Sequence, residues 1–152
     1  MQIQAIGMRG NTPFNDIIEH FTSIGGDCVL LDPDMVVGRD HVISAAMHAE
    51  RAFEEGMNRS KNVLTETILY CAWERQIGRA LEKMKPKQGR TDYVAVLFDI
   101  DDPCLDRIDM VRDDSLMDPT DEKAERLGLV KGTLSYEDQA IEKVAVVELL
   151  KM

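Results

Sequence analysis

The sequence has few of the features that mark secreted, membrane-bound or disulfide-bonded proteins. Its three cysteines, Cys28, Cys71 and Cys104, are widely spaced and form no Cys-x-x-Cys pair, which disfavours a disulfide framework or a zinc ribbon. No window approaches the roughly 20 apolar residues needed to span a bilayer. Residues 1–4 carry no basic stretch that leads into an apolar run. We therefore expect a cytoplasmic protein with free thiols.

Recognisable catalytic motifs are also missing. The chain contains no Gly-x-x-x-x-Gly-Lys loop, Gly-x-Ser-x-Gly elbow or Gly-x-Gly-x-x-Gly turn, the patterns that position phosphates, a nucleophilic serine or a dinucleotide. His20, His41 and His48 show no metal-ligand spacing with one another or with the cysteines. We predict a protein without catalytic activity, cofactor or metal ion.

Charge is distributed unevenly along the chain. The formal net charge is −10, which opposes unspecific binding to DNA or to an anionic membrane. Residues 51–90, however, carry nine basic against five acidic side chains, a net +4, whereas residues 1–50 and 91–152 carry −5 and −9. We predict that any nucleic-acid contact lies in the basic middle segment.

Hydrophobic patterning predicts one α/β (α+β) domain over residues 1–152, in which a small mixed sheet packs with several helices. Strands are predicted at residues 1–6, 28–31 and 93–98, the last inside the sheet, and a half-exposed strand at residues 105–111. Helices are predicted after Pro13, from Asp40, and after Ser135, which can cap the last helix.

Two helices in the middle of the chain are expected to organise the core. The first carries a core-facing stripe of Val42, Ala46, Ala49 and Phe53. The second is predicted to run unbroken from about Lys61 to Met84, with Ser60 as its cap. It is apolar on nearly every side as far as Trp73 and amphipathic beyond it, which predicts a basic outer surface.

One segment points to enzyme chemistry. The apolar run Val94–Phe98 continues into Asp99-Ile100-Asp101, which is similar to the nucleophile motif of haloacid dehalogenase phosphatases, where paired carboxylates act around Mg²⁺. The next residues, Asp102-Pro103, depart from that motif, and the later lysine and acidic pair do not follow in the required order. A phosphatase that uses Asp99 and Asp101 is one alternative function, and a structural adaptor of another pathway is a second.

The two central helices carry a specific order of motifs. The segments are His48-Ala49-Glu50-Arg51-Ala52-Phe53, Gly56-Met57-Asn58-Arg59-Ser60-Lys61, Glu66-Thr67-Ile68-Leu69-Tyr70, Glu74-Arg75-Gln76-Ile77 and, near the carboxyl end, Glu142-Lys143-Val144-Ala145. In order and spacing they resemble the archaeal and eukaryotic PRPK-binding protein family. That family is the kinase-binding small subunit of KEOPS, the complex that makes threonylcarbamoyladenosine on tRNA. The sequence departs from the family at Ala72-Trp73, where Ser-Gly is common.

The resemblance implies a single α/β domain without catalytic activity that binds the small atypical kinase subunit of KEOPS. It also implies that the chain helps to bring tRNA to the complex by its 3′ CCA end, while another subunit carries out the modification. The basic middle segment agrees with an RNA contact, because Arg and Lys contact phosphates while Tyr70 and Trp73 can stack on unpaired bases.

The predicted site residues form two sets. Arg51, Asn58, Arg59, Ser60, Lys61, Arg75, Gln76 and Arg79 are predicted to contact RNA. Met47, Met57, Trp73 and Met84 are predicted to lie exposed and bind the partner. Structural roles stay open beside these: Arg75 pairing with Glu66 or Glu74, and Gln76 holding a loop backbone. For Asn58, Ser60 and Lys61 the alternative is a turn and helix cap.

Overall fold

A four-stranded sheet with helices on both faces forms the centre of the molecule in the computed structural model, which describes residues 1–150. The strands are β1 (Ile3–Arg9), β2 (Asp27–Leu31), β3 (Asp92–Phe98) and β4 (Val111–Arg112). The helices are α1 (Phe14–Ser23), α2 (Arg39–Glu54), α3 (Val63–Ala72), α4 (Ile77–Met84), α5 (Asp121–Leu127) and α6 (Tyr136–Leu150). The predicted α/β class is confirmed.

The strand order is β2-β3-β1-β4, and each neighbouring pair is antiparallel. The expected mixed sheet is therefore wrong for the described residues. The predicted interior position of β3 is confirmed, since it lies between β1 and β2 with Val96 opposite Ala5 on one side and Val29 on the other. Its uninterrupted apolar run suits a strand covered on both faces.

Side-chain alternation divides the sheet into two cores. On one face Ala5, Val94 and Val96 pack with the buried residues of α2, α3, α4 and α6. On the other face Ile6 and Ala95 pack with those of α1. Because successive strand residues point to opposite faces, one continuous apolar strand serves both cores. The layer of four helices is the part of the fold that carries the predicted site residues.

The predicted single helix over residues 61–84 is wrong, because the chain leaves the helix at Trp73. Trp73 adopts the left-handed conformation (φ 58°, ψ 37°) and its N–H donates to the carbonyl of Tyr70. The N–H of Glu74 donates to the carbonyl of Leu69 at 3.1 Å. These two bonds form a Schellman ending, in which glycine usually occupies the left-handed position. A tryptophan there hides the helix end from pattern reasoning.

Three further elements were predicted wrongly or not at all. Where a half-exposed strand was expected over residues 105–111, the chain forms a 3₁₀ turn at Leu105–Ile108. The short strand Val111–Arg112 follows it and pairs with β1. Asn62, not Ser60, caps α3, since its side chain accepts the N–H of Thr65 at 2.9 Å. Helix α5 was not predicted, although Thr120 caps it and Gly128 ends it.

The last helix has its predicted cap and exposes part of its apolar side chains. The Ser135 hydroxyl accepts the N–H of Asp138 at 3.1 Å, as predicted. Val144 and Val147 are buried, whereas Leu149 is 68% exposed. Helix α6 therefore has apolar side chains on its outer side as well. In residues 1–150, no helix combines the length and the apolar character that crossing a membrane requires.

Candidate functional site

The turn between α2 and α3, residues 55–62, is organised around a buried carboxylate. Glu66 is fully buried, and one of its oxygens accepts the N–H of Ser60 at 2.8 Å and the Ser60 hydroxyl at 2.9 Å. The N–H of Arg59 also donates to Glu66, at 3.0 Å. The Asn58 amide donates to the Ser60 carbonyl. Asn58 and Ser60 thus shape the turn, the structural role that the sequence left open for them.

The second turn, residues 73–76, joins α3 to α4 and presents its polar side chains outward. Arg75, Gln76 and the nearby Arg79 of α4 are exposed. In residues 1–150 neither arginine makes a hydrogen bond or ion pair, so Arg75 does not pair with Glu66 or Glu74. These cations are available to an external anion.

The predicted RNA contacts separate into two groups at opposite ends of α3. Arg51, Asn58, Arg59, Ser60 and Lys61 lie at the first turn or beside it, whereas Arg75, Gln76 and Arg79 lie at the second turn. Helix α3 has 10 residues, which corresponds to about 15 Å at 1.5 Å per residue. The structure therefore does not bring the eight residues into one patch. Ser60, being 6% exposed, also offers little surface to a ligand.

Trp73 links the second turn to the rest of the helical layer. Its half-buried ring lies 5.3 Å from the ring of His41 (centroid to centroid), with the Lys83 ammonium 4.6 Å and the Lys143 ammonium 5.6 Å from its centroid. The indole Nε1 is buried and has no hydrogen-bond partner in the described residues. The ring thus fills the space that a glycine would leave open. Tyr70, 1% exposed and stacked on His48, is not positioned for base stacking.

The predicted partner residues have different surroundings. Met47 and Met57 are 53% and 56% exposed, as a contact residue must be. Met84 is 1% exposed, so the expectation that it lies on the surface is wrong: it faces inward from α4 and packs in the sheet-facing core. Trp73 is only partly accessible.

Helix α6 carries exposed apolar residues that sequence reasoning did not assign to a site. Val146, Leu149 and Leu150 are 46%, 68% and 43% exposed. The sequence indicates these exposed residues by the apolar positions of α6, which are too widely spread around the helix to face one core. Helix α6 packs on α2, where His48 Nδ1 lies 2.9 Å from a Glu148 oxygen. Exposed apolar side chains therefore occur on two helices that are in contact.

The phosphatase alternative is not supported. The Asp99 carboxylate accepts the N–H of Gln2 at 2.9 Å, and β3, which precedes it, has antiparallel neighbours rather than the further parallel strands that the phosphatase fold needs. In the described part of the chain, no three His, Cys, Asp or Glu side chains are placed to hold a metal ion.

Exposed apolar side chains on α2 and α6 make this α/β domain a candidate adaptor, a protein that acts by binding others. The sequence pattern of the family described as kinase binding protein CGI-121 matches residues 11–151. The chain belongs to that family, and the resemblance stated from its motifs is confirmed. A comparison with curated proteins finds no match.

Proposed function

We propose that this chain is a non-catalytic, cytoplasmic subunit of KEOPS. In this role it binds the small atypical kinase of the complex and helps to recruit tRNA through its 3′ CCA end for threonylcarbamoyladenosine formation. The family match over residues 11–151 carries the proposal, because kinase binding is what that family is described by. The kinase contact and the RNA contact rest on different surfaces.

The kinase contact is supported by the apolar side chains on α2 and α6. Met47, Val146 and Leu149 are each about half exposed or more, although burying such side chains in the chain's own core would be favourable. Exposed apolar side chains, Met among them, are typical of adaptable interfaces. We propose that Met47 and Leu149 lie in the kinase interface.

Charge substitutions test this surface. Met47→Glu and Leu149→Glu are expected to weaken kinase binding by tenfold or more, since a charge placed in a buried apolar contact must be desolvated. Val130→Glu is the matched control, because Val130 is 70% exposed in the loop between α5 and α6. Isothermal titration with the purified kinase measures the affinity. Wild-type affinity in both α2 and α6 variants, with unchanged melting temperatures, would place the interface elsewhere.

The RNA contact is supported by the second turn rather than by the whole basic segment. Arg75 and Arg79 are exposed and free of carboxylate partners within residues 1–150. Flanking segments of −5 and −9 repel a long duplex, whereas a +4 middle can accept a few phosphates of a single-stranded tail. With about two to four phosphates neutralised, the salt slope is about −1.4 to −2.8.

Trimming the tRNA tests tail recognition. Removal of the terminal CCA is expected to abolish binding, and Arg75→Ala is expected to reduce it without changing the melting temperature. Fluorescence anisotropy at moderate salt, with and without the kinase, measures both effects. Equal affinity for intact and trimmed tRNA in both settings would refute tail recognition and leave the kinase contact untouched.

A further inference from the structure

Cations gather around the ring of Trp73 from two helices. The ammonium groups of Lys83 on α4 and Lys143 on α6 lie 4.6 Å and 5.6 Å from the ring centroid, which places them within about 10 Å of each other. Arg79 precedes Lys83 by four residues, a spacing that puts both on the same side of α4. The three side chains form a short cationic track from the second turn to the last helix.

This track lacks the carboxylate partners that several other cations of the chain have. Elsewhere Arg9 pairs with Asp113, Arg39 and Arg112 with Asp114, and Arg90 with Asp32. Within residues 1–150, Arg79, Lys83 and Lys143 form no such pair. Lys83 donates instead to the carbonyl of Ala72 at 2.7 Å. In a chain with 28 acidic residues, these three neighbouring cations keep their positive charge for an external anion.

The charge balance near Lys83 agrees with this reading. Burial is the main cause that lowers the pKa of the Lys83 ammonium; the negative charge of Glu74 acts in the opposite direction, and the positive charge of Lys143 lowers the pKa further. The two lysines therefore repel each other beside the indole ring. A bound anion would relieve that repulsion and favour both charged forms.

We propose that Arg79, Lys83 and Lys143 form a phosphate-binding site beside the ring of Trp73. The site rests on the proposed RNA function and extends the RNA contact from the second turn to α6. It adds Lys83 and Lys143 to the phosphate-binding residues, neither of which was among the predicted RNA contacts. Lys143 is exposed and contacts the phosphate directly. Lys83, which donates to the carbonyl of Ala72, supplies a second positive charge near the ring.

The single tryptophan of the chain makes the site observable. Titration of the wild-type protein with pyrophosphate, and separately with a single-stranded RNA that ends in CCA, is expected to change the Trp73 emission. Lys143→Gln is expected to weaken RNA binding about fivefold at 0.1 M salt and to make the salt slope shallower by about 0.7, the contribution of one phosphate. Lys131→Gln, the same change at an exposed lysine in the loop before α6, should bind as the wild type does.

The outcomes separate this site from the proposed RNA function. RNA binding with unchanged Trp73 emission and wild-type affinity in Lys143→Gln overturns the site and leaves the RNA function standing. A Lys143-dependent response to pyrophosphate without RNA binding supports the site and refutes the RNA function. No response to either ligand, in the presence and absence of the kinase, overturns both.

Discussion

Replacing Glu66 by alanine should destabilise the protein more than replacing an exposed acidic residue near the turn between α2 and α3. The Glu66 carboxylate is fully buried and accepts two bonds from Ser60, one from the N–H and one from the hydroxyl. A hydrogen bond to a charged group contributes about 1.5–3 kcal/mol. The Arg59 N–H lies in an exposed residue and can be rehydrated, so its bond is expected to contribute little.

The two buried bonds set the size of the effect. Together they give a loss of about 3–6 kcal/mol in the free energy of unfolding for Glu66→Ala, a large fraction of the 5–15 kcal/mol typical of a domain. Glu66→Gln keeps the side-chain volume but replaces one acceptor oxygen by a donor, and is expected to cost about 2 kcal/mol. Glu54→Ala, an exposed change at the end of α2, should stay within about 0.5 kcal/mol.

Urea unfolding followed by circular dichroism measures the three variants. With a slope of about 2 kcal/mol per molar urea, the midpoint of Glu66→Ala should fall by about 2 M relative to the wild type. A midpoint shift no larger than that of Glu54→Ala would show that the carboxylate does not hold the turn. The structural role of Ser60 would then fall as well, and its RNA role would have to be reconsidered.

Three other predictions concern single side chains. Burial lowers the pKa of His41 from 6.5 to about 4, so neutral His41 adds to the free energy of unfolding fully above pH 6.5, and this stability, about 3 kcal/mol, is lost as the pH falls to 4. The urea midpoint of His41→Gln should therefore fall less than that of the wild type between pH 7 and pH 4.5. The Arg90 guanidinium, through its hydrogen bond, holds the pKa of Asp34 below its usual value, and a carboxyl titration by NMR should show that pKa rising in Arg90→Gln. Trp73→Gly should have a free energy of unfolding about 1 kcal/mol higher than Trp73→Ala, and a higher melting temperature, since glycine adopts the left-handed conformation without strain. Equal melting temperatures would contradict the interpretation of Trp73 as a strained helix end.

Local signals predicted much of the fold. The run Tyr93–Phe98 is short, apolar and rich in aromatic and β-branched residues, which predicts a buried strand, and it is the interior strand β3. Ser135 with Asp138 three residues later marks the start of α6, because the hydroxyl satisfies an N–H that the first helical turn leaves unpaired. Such features depend on a few neighbouring residues, which the sequence displays directly.

The remaining features depend on residues far apart in sequence. Trp73 ends a helix where pattern reasoning expects glycine, and the contacts of its ring, with His41, Lys83 and Lys143, lie in three other helices. Met84 is buried in the sheet-facing core, because the apolar side of α4 packs inward.

Affinity purification of the tagged chain from cells that express it, with identification of the bound proteins by mass spectrometry, tests the central claim most directly. A small atypical kinase, together with the other subunits of the threonylcarbamoyladenosine-forming complex, should be enriched over an untagged control. The double variant Met47→Glu, Leu149→Glu should stay folded and no longer recover the kinase. Recovery of the folded wild-type chain without any kinase, or with the unrelated subunits of another assembly, would contradict the assignment.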